Sequence, residues 1–419
     1  MPNCAWVNKA SGSEKCEDEW VNSEALEESN LTNSTSSAQA IGFERRAVID
    51  LSAIRNNVKQ ISDVVAPAAV MAVVKADAYG HGAIPVAKAA LEGGARWIGC
   101  AHVTEALALR DAGVDAPMMA WLHTEDTPFE AAIDAGLDLG VSGWELEYVA
   151  AAARAVQTPA RIHIKVDTGL GRNGSTMDAL PDLLNRASDF QEEGLLRVVG
   201  IFSHLAVADE PERPETDEQL EVFDRAIELV EAAGFDLEVR HIANTPGILS
   251  RPDSHHEMVR LGLGLYGLSP FDGESPESFG LRPAMTVKTR VANVKKVHPG
   301  QGVSYGLNYK TEGETYLGLI PMGYADGLPR IATGAPVTVN GRTYPVRGRI
   351  AMDQCVIDLG SDINPEEFLG AEAIIFGDGG QSVNTWAYAA NTINYEVVTR
   401  ISPRVPRYYI EGSWGEAGE

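Results

Sequence analysis

Eight short β-rich segments alternate with helix-length stretches along much of the chain, and this alternation constrains the fold more than any other feature. The eight segments are VMAVVKAD (70–77), WIGCAHV (97–103), PMMAWL (117–122), LDLGVS (137–142), ARIHIKVD (160–167), LRVVGIFSHL (196–205), LEVRHIAN (237–244) and MVRLGLGLYG (258–267). The stretches between them carry helical patterning, as in DEQLEVFDRAIELVEAAG at 217–234. Eight alternating units are typical of a (β/α)8 TIM-like barrel. Seven or nine units are also compatible with the pattern.

The rhythm becomes all-β after residue 280. The segment AMTVKTRVANVKKV alternates with period two, and Asn340 and Gly341 lie between two strand-like runs, which is a strong hairpin signal. One helix is predicted in this part, SVNTWAYAANTI at 382–393. The sequence therefore predicts an α/β protein with a barrel over residues 41–278, followed by a C-terminal mainly-β domain over residues 279–419.

The chain before the barrel has a composition of its own. Residues 1–40 hold two lysines and seven carboxylates and then a polar NLTNSTSSAQ stretch, so we predict a disordered acidic N-terminal extension. Trp6 and Trp20 leave a docking role open for it. The segment RRAVID at 45–50 predicts a short strand, and Ser52 is the expected N-cap of the amphipathic helix that follows.

Charge and cysteine usage exclude several classes of protein. A formal net charge of −25 argues against a nucleic-acid partner, which needs a clustered basic face. The four cysteines have neither a disulfide framework nor zinc-ligand spacing, so no metal site is predicted. No apolar run is long enough for a membrane span and no signal peptide is recognisable, which favours a cytoplasmic enzyme without a membrane partner.

Polar residues follow the apolar runs at the predicted carboxyl ends of the barrel strands, where barrel enzymes place their reactive groups. They are Lys75, Lys165, Asp167, His204, Asn244, Thr245 and Arg260. Lys75 follows four apolar residues, so partial desolvation should lower its pKa and favour the amine that forms a Schiff base. A lysine that only extends from a strand end to solvent is an equally good interpretation of this segment alone. Tyr79, Gly80 and Gly82 suit a loop that approaches a ligand closely.

A second element resembles a phosphate site. NTPG at 244–247 comes shortly before VRLGLGLYG at 259–267, so Thr245 and a glycine-rich backbone could supply hydroxyl and N–H donors. Barrels commonly bind phosphate after strands seven and eight, where these motifs fall. Close packing of a helix on a strand would explain the glycines equally well.

Nine motifs together resemble the alanine racemase family, in the family's order and over about residues 43–410. They are AVVKADAYGHG, KVDTGLGRNG, FSHLAVADE, HIANTPGIL, MVRLGLGLYGLSP, GQGVSYG, PMGYADGLPR, GRIAMDQC and TINYEV. The resemblance implies a pyridoxal 5'-phosphate (PLP) enzyme that interconverts L-alanine and D-alanine and supplies D-alanine for peptidoglycan. It also implies an eight-stranded barrel plus a β-domain, with the strand at 45–50 packed against that domain.

The resemblance also implies a two-base mechanism. Lys75 would bind the cofactor and serve as one proton-transfer group, and Tyr305 would serve on the opposite face of the α-carbon. Two groups are needed because a single base tends to return the proton to the face from which it came. His204 would orient Tyr305. Arg260 would face the pyridine nitrogen and keep it unprotonated, because a guanidinium does not readily give up its proton.

Further residues are implied as contacts. The cofactor set adds Tyr79, Arg172, His204, Asn244, Thr245, Gly262, Leu263 and Tyr395, the phosphate being held by Tyr79, Thr245, the Gly262 and Leu263 backbone, and Tyr395. Arg172 would contact the phenolic oxygen and, with the Met352 backbone, the substrate carboxylate. Lys165 is implied as a carbamylated lysine, and Tyr324 as a residue that closes the entrance. Because Tyr305, Tyr324 and Met352 come from the β-domain and would reach the barrel of another subunit, a homodimer with shared active sites is implied.

Three alternatives remain beside this interpretation. A decarboxylase of the same architecture commonly pairs the pyridine nitrogen with a carboxylate, and Arg260 argues against it. A single-domain PLP carrier would lack the β-domain with Tyr305 and Tyr324. A serine or broad-range small amino-acid racemase stays open, because Ala351 and Thr245 stand where some family members carry cysteine and serine.

Overall fold

The computed structural model describes residues 44–412, so the predicted extension over residues 1–40 lies outside the described part. Strand β1 (Arg45–Asp50) comes first. Eight strands then form one sheet: β2 (Ala69–Val73), β3 (Trp97–Cys100), β4 (Met118–Ala120), β5 (Leu137–Val141), β6 (Ala160–Lys165), β7 (Leu196–Phe202), β8 (Val239–His241) and β9 (Met258–Leu261). All neighbours pair in parallel, in the order β8-β7-β6-β5-β4-β3-β2-β9. The predicted eight-stranded barrel is confirmed.

The barrel is nearly closed between its first and last sheet positions. The backbone N–H of Arg260 in β9 donates to the carbonyl oxygen of Ala243, just after β8, at 3.0 Å. Helices of the barrel region span Leu51–Val65, Ala83–Glu92, Val103–Asp111, Phe129–Asp134, Glu145–Val156, Leu180–Glu192, Glu215–Ala232 and Thr245–Ser250. A main hydrophobic core lies between these helices and the sheet. The strands therefore deliver their carboxyl ends to one rim.

The first of these helices corrects a sequence prediction. Its N-cap is Asp50, whose Oδ1 accepts the backbone N–H groups of Ser52 (2.9 Å) and Ala53 (3.2 Å), whereas Ser52 was the expected cap. Ser52 instead donates its hydroxyl to the same Asp50 oxygen at 2.7 Å. An aspartate that ends a strand meets the free N–H groups of the first turn directly, so the helix begins earlier than predicted.

The rest of the chain is mainly β. Its strands are β10 (Met285–Arg290), β11 (Asn293–Val297), β12 (Gly302–Val303), β13 (Tyr309–Lys310), β14 (Thr315–Ile320), β15 (Pro336–Val339), β16 (Arg342–Pro345), β17 (Cys355–Gly360), β18 (Glu372–Phe376) and β19 (Arg407–Ile410). A six-stranded sheet has the order β16-β15-β18-β10-β1-β19, and a three-stranded sheet has the order β11-β14-β17. Strand β1 pairs with β10 and β19, so the first strand lies in the sheet of the C-terminal part.

Two local predictions in this part have different outcomes. Strands β15 and β16 pair antiparallel around Asn340 and Gly341, both with positive φ (50° and 72°), as a tight hairpin requires. The single helix predicted at 382–393 is wrong in extent, because the helix Val383–Ala389 ends before Asn391, which is left-handed at φ 52°. A second helix, Asn394–Thr399, follows it, and a short one spans Pro365–Phe368.

The barrel interior carries its own small apolar cluster. Met71, Met119, Phe202 and Met258 are buried there, with Trp97 and Trp121 packed against them. Within the described residues, no helix is both long and apolar enough to cross a membrane.

Candidate active site

A cavity of about 380 Å³ lies at the carboxyl-terminal rim of the barrel. Eleven of the fourteen residues predicted for the site line it: Lys75, Tyr79, Lys165, Arg172, His204, Asn244, Thr245, Arg260, Gly262, Leu263 and Tyr395. They come from five strand ends and from the helix that begins at Asn394. Four of the lining residues are cationic side chains, and no lining residue is a carboxylate. The cavity therefore suits an anionic ligand.

Lys75 begins a left-handed turn. In the segment Lys75–Gly80, residues 76–79 have φ between 51° and 54°, although none of the four is glycine. This conformation costs roughly 1–2 kcal/mol per residue, so contacts from outside must hold it. The carboxylate of Glu105 accepts the Ala76 N–H at 2.7 Å, and Asp77 accepts the Ala83 N–H at 2.8 Å. Both ends of the turn, Lys75 and Tyr79, line the cavity.

The electrostatic setting of Lys75 favours a neutral amine. Burial lowers its pKa, and the positive charges of Arg172 and Arg260 lower it further, while Glu105 acts in the opposite direction. A lysine with a lowered pKa has more of its amine free to attack a carbonyl carbon. Lys75 thus follows the end of β2 and is partly buried, as the sequence analysis predicted for a desolvated lysine.

Arg260 is 6% exposed and is held by oxygen and nitrogen acceptors from the barrel. Its Nη1 donates to His241 Nδ1 (3.0 Å) and to the His241 carbonyl (2.9 Å). Its Nη2 donates to the carbonyls of Ser203 (2.6 Å) and Ile242 (3.1 Å) and lies 3.2 Å from His204 Nδ1. Among the described residues no carboxylate contacts it, and burial together with the charge of Arg172 lowers its pKa to about 9. Within the described chain, Nε is the guanidinium donor left without a protein acceptor.

Gly262 and Thr245 form a small cradle. The Thr245 hydroxyl accepts the backbone N–H groups of Gly262 and Gly264, both at 3.2 Å. A Cβ on Gly262 would lie 2.9 Å from the Tyr79 hydroxyl oxygen and 3.9 Å from the Thr245 hydroxyl oxygen, so only glycine leaves this space open. Burial raises the pKa of Tyr79 to about 12 and also raises that of Tyr395, so both phenols stay protonated donors.

Asn244 contributes mainly to the shape of the wall. Its side-chain oxygen accepts the Gly247 N–H at 3.2 Å and so caps the helix Thr245–Ser250. Its amide nitrogen donates to the carbonyl of Leu205 at 3.2 Å. Both ends of the amide are thus occupied by the protein, and the residue fixes the relative position of two strand ends.

Lys165 and Arg172 line the cavity from the end of β6 and the loop that follows it. Burial, followed by the positive charges of Arg260 and Arg172, lowers the pKa of Lys165 to about 8. Asp167, a candidate from the strand-end rule, does not line the cavity. Its carboxylate accepts the N–H groups of Gly169 (3.0 Å) and Gly171 (3.1 Å), and so shapes the loop that carries Arg172.

His204 is a neutral imidazole in this setting. Burial holds its pKa well below the ordinary value, and the cations Arg260 and Arg172 act in the same direction. Because Arg260 can only donate, the Nδ1 of His204 is the acceptor in the 3.2 Å contact and its proton lies on Nε2.

The three β-domain candidates are not brought to this cavity. Tyr305, Met352 and Tyr324 are exposed by 68%, 53% and 38%, and none of them lines it. Met352 and Tyr324 do share a surface, because the Tyr324 N–H donates to the Ala351 carbonyl at 3.0 Å. Eleven residues of the predicted set thus line the barrel cavity, whereas these three are exposed residues of the β-domain that do not line it.

Seven further residues that line the cavity were not predicted as site residues: Val73, Ala76, Trp121, Phe202, Ser203, Pro246 and Thr399. Trp121 fits because Gly99 and Gly140 leave room, since Cβ atoms there would lie 2.9 and 3.0 Å from its side chain. The strand-end rule could have found Trp121, which follows the apolar run of PMMAWL. No sequence signal distinguishes Thr399 from other residues of its helix.

Two family models match the chain. The "Alanine racemase, N-terminal domain" model covers residues 49–270, and the "Alanine racemase, C-terminal domain" model covers residues 284–409. Two curated relatives have the name alanine racemase. The protein of Thermobifida fusca is 50% identical over 372 residues, which is 87% of this chain and 97% of the relative. The protein of Streptomyces coelicolor is 51% identical over 376 residues, which is 87% and 95%.

Solved structures that are similar to this chain are also alanine racemases. The alanine racemase of a D-cycloserine-producing Streptomyces lavendulae superposes with a TM-score of 0.86 at 48% identity, and covers 89% of this chain and 98% of its own. The enzyme of Bacillus anthracis, solved with bound L-Ala-P, gives a TM-score of 0.78 at 33% identity, with 88% and 96% covered.

Proposed function

The chain belongs to the alanine racemase family of PLP-dependent enzymes and interconverts L-alanine and D-alanine; we propose that Lys75 and Tyr305 are its two proton-transfer groups. One observation carries this proposal, namely a lysine of lowered pKa in a cavity that three further cationic side chains line and that has no carboxylate among its described lining residues. A dianionic phosphate and an amino-acid carboxylate both need such surroundings.

The residues at the rim fit PLP. The space at Gly262, between the hydroxyls of Tyr79 and Thr245, would take a phosphate oxygen. The unpartnered Nε of Arg260 would donate to the pyridine nitrogen. When bound, the cofactor draws electrons away from the α-carbon and acidifies its hydrogen. The other cofactor contacts that we propose are Arg172, His204, Asn244, Leu263 and Tyr395.

Arg260 would tune the pyridine nitrogen without protonating it. Its pKa of about 9 keeps the guanidinium charged at neutral pH, and no carboxylate contacts it. A cation at that position donates a hydrogen bond and disfavours a proton on the ring nitrogen. This limits the electron-withdrawing power at the site and favours return of the proton to carbon over side reactions.

Lys75 would hold and return the proton on one face of the α-carbon. Its Nζ is an amine of lowered pKa at the cavity, so more of it is unprotonated and able to accept a proton than for an exposed lysine. Tyr305 would hold and return the proton on the other face through its phenol oxygen, with the neutral His204 as its orienting partner.

We propose that the second group comes from another copy of the chain. Tyr305 is 68% exposed and lies outside the cavity of its own chain, as do Met352 and Tyr324. Large apolar and aromatic side chains that stay exposed in a single chain are typical of a surface that another chain covers. We therefore propose a homodimer in which the Met352 backbone and Arg172 hold the substrate carboxylate and Tyr324 narrows the entrance.

Lys165 is proposed to carry a carbamate. Its pKa of about 8 leaves part of the amine neutral, and a neutral Nζ can attack CO2, form an N–C bond and release one proton. The resulting anion would lie near Arg172 and offset its charge. A native mass without the added CO2 would contradict this.

A serine or broad-range racemase is the second candidate, supported by the small residue Ala351 beside Met352 and by Thr245 at the rim. The test incubates the pure protein separately with L-alanine and with L-serine in deuterated water. We expect loss of optical activity and α-hydrogen exchange with alanine, both much reduced in Tyr305→Phe. Absence of exchange with alanine would sink the proposal, and equal rates with serine would favour the second candidate.

A further inference from the structure

A chain of buried polar side chains crosses the barrel interior from Arg260 toward its opposite end. Arg260 Nη1 contacts His241 Nδ1 at 3.0 Å. His241 Nε2 contacts His163 Nδ1 at 3.0 Å, and His163 Nε2 contacts Asp138 Oδ2 at 3.0 Å. The four residues come from β9, β8, β6 and β5.

The four-residue chain is buried and closely packed. His163 and His241 are fully buried, and Asp138 is 3% exposed. The ring of Phe202 stacks on His241, with centroids 5.0 Å apart and planes 5° apart. A Cβ on Gly200 would lie 2.4 Å from His163 Nδ1, so glycine is required where the two imidazoles meet. Hydrogen bonds in such surroundings gain strength and are costly to break.

The donors and acceptors permit a single arrangement of protons. Arg260 can only donate, so His241 Nδ1 must be an acceptor and its proton must lie on Nε2. That proton points at His163 Nδ1, which must therefore accept, so the proton of His163 lies on Nε2. His163 then donates to Asp138. A doubly protonated imidazole at either position would place two donors face to face.

Asp138 is anchored as the final acceptor. Arg161 donates to both of its oxygens, from Nε to Oδ1 at 2.8 Å and from Nη2 to Oδ2 at 3.2 Å. Arg161 also pairs with Glu238, 2.9 Å away, nearer the surface. Burial opposes ionisation of Asp138, yet the hydrogen bonds from His163 and Arg161 outweigh it, and its pKa lies below the ordinary value.

We propose that Asp138 is a positioning residue for Arg260. Asp138 acts through His163 and His241: it fixes one tautomer of each imidazole and so keeps the Nε of the guanidinium directed at the cavity. The consequence for catalysis rests on the proposed function, in which Arg260 meets the pyridine nitrogen. Without the carboxylate, His163 and His241 can exchange tautomers. A proton on His241 Nδ1 would then repel Arg260 Nη1 and turn the guanidinium.

Two substitutions and a matched control separate this role from packing. Asp138→Leu removes the acceptor, whereas Asp138→Asn keeps a carbonyl oxygen that can face His163. Glu238→Gln breaks the outer ion pair with Arg161 and leaves the four-residue chain intact. The first measurement is long-range proton–nitrogen NMR of the holoenzyme labelled in histidine, which distinguishes protonated from unprotonated ring nitrogens. It does not depend on turnover.

We expect the imidazoles of His163 and His241 to carry their proton on Nε2 in the wild type. We expect the same tautomers in Glu238→Gln and Asp138→Asn. In Asp138→Leu we expect mixed tautomers, with kcat for alanine lowered about tenfold and KM nearly unchanged. A proton on His241 Nδ1 in the wild type would overturn the proposal, as would unchanged tautomers in Asp138→Leu. If Asp138→Leu does not fold, the proposal is judged on the tautomers of the wild-type imidazoles and on the kcat of Asp138→Asn. Wild-type enzyme that fails to racemise alanine would instead sink the proposed function and leave the tautomer result standing.

Discussion

Arg407 donates from Nε to the carbonyl oxygen of Gly80 at 3.0 Å, and this bond ties the last strand of the described chain to the left-handed turn that begins at Lys75. The guanidinium also donates to the carbonyls of Ser402 (2.6 Å) and Val405 (2.8 Å), and to that of Ile401. A residue of the β-domain sheet thus holds the segment that carries the reactive lysine of the barrel.

Arg407→Lys should loosen that turn. A lysine offers a compact charge and cannot reach the same set of carbonyls, so we expect a loss of roughly 2–3 kcal/mol in the free energy of unfolding. The turn then populates other conformations, and we expect weaker cofactor retention on dialysis. Arg400→Lys is the matched control, because Arg400 is exposed and pairs only with Glu396 on its own helix. Equal effects of the two substitutions on dialysis would contradict this role.

Thr245→Val should impair phosphate binding. The substitution keeps the shape but leaves the N–H groups of Gly262 and Gly264 without their acceptor, at a cost of about 1–3 kcal/mol each. We expect the dissociation constant for PLP to rise by at least about tenfold, which corresponds to 1.4 kcal/mol. Thr245→Ser retains the hydroxyl and should bind nearly as well as wild type in the same titration. A Thr245→Val protein that binds PLP normally would remove this residue from the phosphate site.

The residues at the rim of the barrel could be predicted from the sequence because each strand end has a local pattern, a polar residue at the end of an apolar run. Lys75, Lys165 and Arg260 each follow or end an apolar run, and a parallel barrel brings such ends to one rim whatever the exact boundaries. The two wrong predictions, of the N-cap at Ser52 and of the helix at 382–393, concern where a helix begins or ends. A single residue decides such a boundary, and a neighbouring residue with similar propensity can take its place.

Other features could not be predicted because they depend on distant contacts. Asp138 and His163 lie on neighbouring strands and face the barrel interior. Nothing in LDLGVS or ARIHIKVD indicates that the two side chains meet. The bond from Arg407 to Gly80 joins residues more than 300 positions apart. The left-handed turn after Lys75 contradicts local propensity, since four non-glycine residues adopt it only under tertiary constraint.

Tagged heterodimers test the shared active site. One subunit carries Lys75→Ala and the other carries Tyr305→Phe, so a dimer with shared sites keeps one intact site of two. We expect about half of the wild-type activity per dimer, although each homodimer is nearly inactive. In the matched control both substitutions lie in one subunit and the partner is wild type. Shared sites make this control inactive, and sites built within one chain would make it half active and reverse the prediction.

The stability of the turn should depend on pH through His81. This imidazole is 1% exposed, its Nδ1 contacts the carbonyls of Ala78 (3.0 Å) and Tyr79 (3.1 Å), and its ring stacks on Tyr266. Burial lowers its pKa from 6.5 to about 4, so the unfolded chain binds a proton before the folded protein does. The stability that the neutral ring contributes is therefore complete above pH 6.5 and is lost as the pH falls toward 4, by about 3 kcal/mol.

Chemical denaturation between pH 7 and pH 4 measures this loss. We expect His81→Asn, which keeps a donor for the two carbonyls but cannot titrate, to be less stable at pH 7 and to lose less stability than wild type on acidification. His298→Asn is the control, because His298 lies exposed and is solvated in both states. A pH profile of His81→Asn parallel to that of wild type would show that another buried group, such as His123 with its pKa near 4, dominates the acid response.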